Sequence, residues 1–179
     1  MKHRKLMTLF LALIMTLSFT PFNIANAEAA VGAWQINASD LSPSKNPEAK
    51  AAFDKAMDGI VGVNYKLIAC LGSQVVQGTN YCLLCEATAV SPNAKSTYVL
   101  VYVYEDLEGK AEVTDVTGGI KARTTARLRV RKGPGTDYDI IKTVNRRSRV
   151  SVYGLLGEWA FVSCGTTLGW MNTKYLKKV

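Results

Sequence analysis

The chain has 179 residues, with 22 Lys and Arg against 14 Asp and Glu and a formal net charge of +8. Its only histidine is His3, so the chain beyond that residue lacks Ser–His and Cys–His nucleophilic dyads, the commonest general base and the commonest metal ligand. The basic balance hides a polarity: residues 28–117 carry 6 Lys and Arg against 11 Asp and Glu, whereas residues 118–179 carry 13 against 3.

Arg4 and Lys5 precede an apolar run from Leu6 to Phe22, and the small residues Ala25 and Ala27 follow it. A basic start, an apolar middle and an A-x-A end describe a secretory signal peptide over residues 1–27. Thr16, Ser18, Thr20 and Pro21 interrupt the run, leaving it short of the ~20 apolar residues that a membrane span needs. The expected mature chain of 152 residues is therefore secreted, without membrane contact after cleavage. Acidic and basic parts meet near Val116-Thr117-Gly118-Gly119. The glycines read as a linker, residues 118–120, between a first domain at 28–117 and a second at 121–179.

In the first domain, residues 28–46 read as irregular, with Trp34 plugging a core edge. Asn46-Pro47-Glu48 then sets a helix start: a capping residue, proline at the first position and an acid in the first turn. Ala49, Phe53, Ala56, Met57 and Ile60 recur at helical spacing as one apolar stripe, and Gly62 closes the helix. The period then changes to strands. Tyr65 to Leu71 and Tyr81 to Val90 flank a hairpin with an extended tip, Gln74-Val75-Val76-Gln77-Gly78. Two valines at such a tip bury nothing within their own hairpin and invite a partner surface. Thr97 to Glu105 is the most strand-prone run, and Asp106-Leu107-Glu108-Gly109 turns it into Lys110–Val116. One helix laid on four antiparallel strands is an α+β layer.

Cys70, Cys82, Cys85 and Cys164 are the cysteines. Cys82-x-x-Cys85 has the spacing of half a zinc site or of a redox motif, but no glycine turn or helix start follows it to lower a thiol pKa. In an exported chain these residues read as disulfide candidates, because a hairpin centred near Val76 brings Cys70 close to the 82–85 segment. Four cysteines allow three pairings, and spacing does not choose among them. No metal and no cofactor are expected.

Gln74-Val75-Val76-Gln77-Gly78-Thr79-Asn80-Tyr81 resembles the Q-x-V-x-G signature of cystatins, especially the stefin branch, and the order of helix, signature hairpin and second hairpin is similar to that fold over residues 31–117. The resemblance implies inhibition of papain-like cysteine proteases by a wedge. Gly32 would supply its N-terminal piece, and Gln74, Val75, Val76, Gln77 and Gly78 its first hairpin. The second hairpin departs from the pattern, because Asp106 and Glu108 are costly to desolvate against an enzyme surface unless paired.

In the second domain Leu128 and Val130 alternate with Arg127, Arg129 and Arg131, so a strand buries the first set and exposes the second. Lys132–Tyr138 is a turn segment, and short strand-like runs follow at Ile140–Val144, Arg149–Tyr153, Trp159–Cys164 and Gly169–Met171. Short strands punctuated by turns, without helical period, indicate an all-β small barrel. Leu128-Arg-Val-Arg-Lys-Gly-Pro-Gly135, Tyr138, Val150-Ser-Val152, Glu158-Trp159, Gly169-Trp170 and Lys174-Tyr175-Leu176 together resemble the bacterial SH3 (SH3b) family. Arg129 stands where Asn is frequent there, and Cys164 is unusual. The resemblance implies binding to peptidoglycan or another wall component, with Tyr138, Trp159 and Tyr175 as ligand-facing aromatics, although Trp159 and Trp170 also suit a barrel core. The basic charge, with Arg127, Arg129 and Arg131 facing out, suits an anionic wall polymer; export argues against nucleic acid as the polyanion.

Together these features describe a secreted, cell-wall-associated protein that is not an enzyme. A wall-binding module would accompany a cystatin-like domain that presents a hairpin. The alternatives are an accessory or catalytic component of wall hydrolysis, and a purely structural or adhesive module.

Overall fold

Strand-forming runs dominate the chain beyond Gly62, and among the described residues they assemble into two antiparallel sheets, accompanied by one α-helix. The computed structural model describes residues 32–37 and 40–179, so the expected signal peptide lies outside the described residues. In chain order the elements are β1 (Trp34–Ile36), α1 (Pro47–Ala56), β2 (Val63–Val76), β3 (Gly78–Ala89), β4 (Thr97–Glu105), β5 (Ala111–Gly118) and β6 (Ile120–Thr124). Then follow β7 (Leu128–Arg131), β8 (Ile140–Val144), β9 (Arg149–Leu156), β10 (Trp159–Cys164), β11 (Thr167–Asn172) and β12 (Leu176–Lys178). The first sheet has the order β1-β2-β3-β4-β5 and the second β12-β6-β9-β10-β11-β7-β8.

Helix α1 begins at Pro47, but Asn46 does not cap it with its side chain. Its amide instead donates to the Asp40 and Ser42 carbonyls at 2.8 Å each, pinning the preceding loop. The helix ends at Ala56, short of Ile60 and Gly62, because Gly59 takes a left-handed φ of +76° and turns the chain away. Ala49, Ala52, Phe53 and Ala56 are its buried face.

The long β2–β3 hairpin is paired to its end, with Val76 opposite Gly78 and only Gln77 between them. The expected extended tip is thus ladder nearly throughout. Gly78 allows this closure: its φ is +107°, and a Cβ there would lie 2.4 Å from the Glu105 carbonyl oxygen. β1 adds to the edge of β2 through backbone pairing of Trp34 with Gln74, where irregular chain was expected.

The central strands bury both faces. On β3 and β4, Tyr81, Leu83, Cys85, Val101 and Val103 meet the helix. Leu84 and Leu100 point the other way, with Ala69 and Leu71 of β2, into a cluster completed by Tyr153, Phe161 and Trp170 of the second sheet. The two sheets therefore share a core. A third cluster, Ala122, Val130, Val144, Val150, Ala160, Val162 and Met171, fills the inside of the second sheet. Only Gly119 separates β5 from β6, and a Cβ on it would come within 2.6 Å of the Tyr153 ring. Tyr153 meets Tyr98 edge-on at 6.5 Å, and its hydroxyl lies 3.2 Å from that of Ser163.

The disulfide expectation is corrected. Cys70, Cys82, Cys85 and Cys164 are free thiols. Cys70 and Cys85 lie in the helix-side cluster, whereas Cys82 packs against the cluster between the sheets, so the pleat sends the members of the C-x-x-C pair to opposite faces. Burial pushes the Cys70 and Cys82 thiols up to about 11 and that of Cys85 up to about 12, leaving them protonated at neutral pH.

Candidate functional site

Two regions hold the residues singled out by the sequence. The first is the free end of the β2–β3 hairpin. The Gly32 amide donates to the Val75 carbonyl at 3.0 Å, and Gln74 Nε2 donates to the Gly32 carbonyl at 2.7 Å. Asn80 Nδ2 donates to Gln74 Oε1 at 3.0 Å, so Gln74 is held from both sides. Gly32 and the hairpin end are thus one unit, joined through polar groups that sequence spacing does not reveal. Val75 and Val76 remain 53% and 39% exposed. The Tyr104 hydroxyl donates to the Gln77 carbonyl and braces the turn from β4.

Pairing of Thr79 with Glu105 brings the β4–β5 turn to the same end of the sheet. There Asp106 Oδ1 accepts from the amides of Glu108 and Lys110 at 3.0 and 2.8 Å, so this carboxylate is engaged within its own turn. Lys55 of α1 clamps the turn, donating to Glu105 Oε1 at 2.7 Å and to the Gly109 carbonyl at 2.9 Å. What projects is Leu107, 73% exposed, with Glu108 beside it.

The second region is a cleft of about 580 Å³ on the second sheet. Its walls come from separate segments: Arg127 just before β7, Leu128, Arg129 and Arg131 on it, Thr136 from the following turn, Thr143 on β8, Trp159 opening β10, Asn172 closing β11, and Tyr175. Backbone pairing places Arg129 opposite Thr143 and Trp159 opposite Asn172. The Thr125 amide donates to the Tyr175 carbonyl at 2.8 Å, and Thr173 donates twice to the Glu158 carbonyl, so the aromatic wall is fastened to the main chain. Trp159 also packs on the cluster between the sheets, giving it one anchored and one cleft-facing side.

Of the six residues expected to face a ligand, the cleft gathers Arg127, Arg129, Arg131, Trp159 and Tyr175. Tyr138 stands apart. Its ring lies over the turn glycines, where a Cβ on Gly133 would come within 2.3 Å of it, and its carbonyl accepts from Arg131 Nη1 at 2.7 Å. Leu128, Thr136, Thr143 and Asn172 are lining residues that sequence reading missed. Strand pairing brings in Thr143 and Asn172, the β7–β8 turn brings in Thr136, and Leu128, expected to be buried, sits between Arg127 and Arg129.

The electrostatics of the cleft are one-sided. Arg131, expected to face out, is instead only 8% exposed, and it takes part in none of the ion pairs among the described residues, which are Lys50–Asp54, Lys55–Glu105 and Lys132–Asp139. Arg127 and Arg129 are exposed above it.

The second sheet and its cleft define a small all-β unit with a basic, aromatic-walled groove. Residues 126–177 match the family model of the bacterial SH3 domain, and this part of the chain is a bacterial SH3 domain. No curated protein and no solved structure matches the chain.

Proposed function

We propose that the protein is a secreted, non-enzymatic binding protein whose bacterial SH3 domain attaches it to the cell wall, through peptidoglycan or an anionic wall polymer. The carrying observation is the cleft of that domain, where three arginines and two aromatic residues line a volume of about 580 Å³. The family often takes part in wall binding, and the match at residues 126–177 supports the same role here. The aromatic wall offers flat apolar area to a sugar or peptide face, while the arginines draw anionic material with a strength that falls as salt rises. The experiment is sedimentation of the full mature chain with isolated bacterial walls at low and high salt. Co-sedimentation supports the reading, and a chain left in the supernatant at low salt sinks it.

A second role rests on a different observation. Gly32, Val75, Val76 and Leu107 stand at one end of the first sheet, with Gly32 bonded to Val75 and Asp106 engaged in its own turn. This arrangement supports a cystatin-like wedge in which the valines and Leu107 enter the groove of a papain-like cysteine protease. Occlusion requires no chemistry from the chain, in keeping with a non-enzymatic protein. Papain assayed with micromolar mature protein tests it: undiminished activity removes the inhibitor role and leaves the wall-binding one standing.

A further inference from the structure

We infer that the SH3-domain cleft is an anion site, built to seat a phosphodiester of a glycosyl- or polyol-phosphate polymer, with Arg131 as its anchor. The inference deepens the wall-binding reading and rests on it. A guanidinium is rarely buried without an acid to pair it, because its charge loses solvation that only a partner restores. Arg131 is more than nine-tenths buried and has one protein acceptor, the Tyr138 carbonyl on Nη1. None of its nitrogens is both sealed and without a bond, and the residue lines the cleft.

The fork of a guanidinium matches two oxygens of a phosphate, and such charge-assisted bonds are the strong ones. Arg129 on β7 and Arg127 just before it are exposed, line the same cleft and add charge at its mouth. The walls beside the arginines are Trp159 and Tyr175, whose rings suit the C–H face of a sugar or polyol unit flanking the phosphate. Asn172 and Thr143 supply an amide and a hydroxyl for the hydroxyls of such a unit. An uncharged peptide would use the aromatic wall but leave Arg131 as it is, buried and without an anion.

The test uses the full mature chain and four probes: a synthetic glycerol-phosphate oligomer, inorganic phosphate, an acetylated stem peptide with its free carboxylate, and glycerol. Binding is read by calorimetry and by tryptophan fluorescence. The oligomer should bind tightest, phosphate and the peptide carboxylate more weakly, and glycerol not at all. Arg129→Gln and Arg127→Gln, exposed changes that leave the barrel core untouched, should each weaken the oligomer about tenfold, as loss of one charge-assisted bond predicts. Arg131→Lys should weaken it further while preserving charge, because the fork is lost; circular dichroism checks that the turn at Tyr138 survives. Equal affinity for oligomer and stem peptide, or arginine variants that bind like wild type, would overturn the inference. Walls stripped of phosphodiesters with cold hydrofluoric acid separate the two readings. Equal sedimentation with stripped and intact walls keeps wall binding and ends the anion site, sedimentation with neither ends both, and loss on stripped walls alone supports both.

Discussion

Leu84→Ala is the most direct probe of how the two sheets are joined. Leu84 is fully buried on β3, and its face of the first sheet packs against Tyr153, Phe161 and Trp170 of the second. Removing a buried leucine side chain to Ala costs about 2–5 kcal/mol, from lost transfer energy and the cavity left behind. Taking about 3 kcal/mol and a urea m-value of about 2 kcal/mol per molar, the midpoint should fall by about 1.5 M. If the sheets unfold as one unit, slow amides of β10 and β11 should lose protection together with those of β3 and β4. The common factor should be about 100-fold, the equivalent of that free energy at 1.4 kcal/mol per decade. Hydrogen exchange with segment resolution measures this. If β10 and β11 keep wild-type protection while β3 and β4 lose theirs, the sheets are separable bodies and the shared core is not a cooperative one.

Gly119→Ala should lower Tm by several degrees, because the new Cβ would sit 2.6 Å from the Tyr153 ring, and relieving such overpacking costs about 1–3 kcal/mol; an unchanged melting curve would contradict the close approach. Gly78→Ala puts a side chain at φ +107° against the Glu105 carbonyl, so it should fray the hairpin end, seen as faster exchange of the Thr79 and Val76 amides, and weaken any papain inhibition. The buried thiols set a pH dependence. In the unfolded chain they ionise near 9, while Cys70 and Cys82 hold their protons to about 11 and Cys85 to about 12. Above pH 9 the unfolded state therefore binds fewer protons, and stability should fall as pH rises from about 9 towards 12. Urea midpoints that stay level over this range in wild type would refute the burial argument, and Cys85→Ala should shallow the slope. A thiol reagent at pH 8 should accordingly spare Cys70, Cys82 and Cys85 until the chain is unfolded.

Much of the local structure is legible in the residues. Asn46-Pro47 marks the helix start, and the bounds of β4, β8 and β10 are those the sequence suggests. What escaped reading is structure made by backbone pairing with little side-chain pattern. β1 is three residues added to an edge, with only Trp34 leaning inward onto Tyr102 at 6.0 Å. β6 follows two glycines and carries Lys121 and Arg123, so it reads as linker until its pairing with β9 and β12 is seen. The shared core was half visible: Tyr98–Tyr104 is apolar at every position rather than alternating, which is the mark of a strand covered on both faces. The charge change at Gly118-Gly119 drew attention to a boundary instead. At the cleft, the exposure of Arg127 and Arg129 was readable because alternation is local, but Arg131, expected to face out with them, is buried, since the strand register shifts between Val130 and Arg131. The approach of Trp159 and Tyr175 to these residues was not readable, since Trp159 opens a strand 28 or more positions away and Tyr175 ends a short 3-10 turn further on.

The packing of β3 and β4 against Tyr153, Phe161 and Trp170 has an electrical consequence. Among the described residues it locks a part with 10 acids and 6 bases onto one with 3 acids and 13 bases, so this body carries a lasting moment. Within about a Debye length of an anionic surface, roughly 8–10 Å in physiological salt, the field turns such a body before any contact forms. The basic sheet leads and the helix-bearing sheet trails. Orientation near such a surface would thus depend on the apolar seam between the sheets as much as on the arginines.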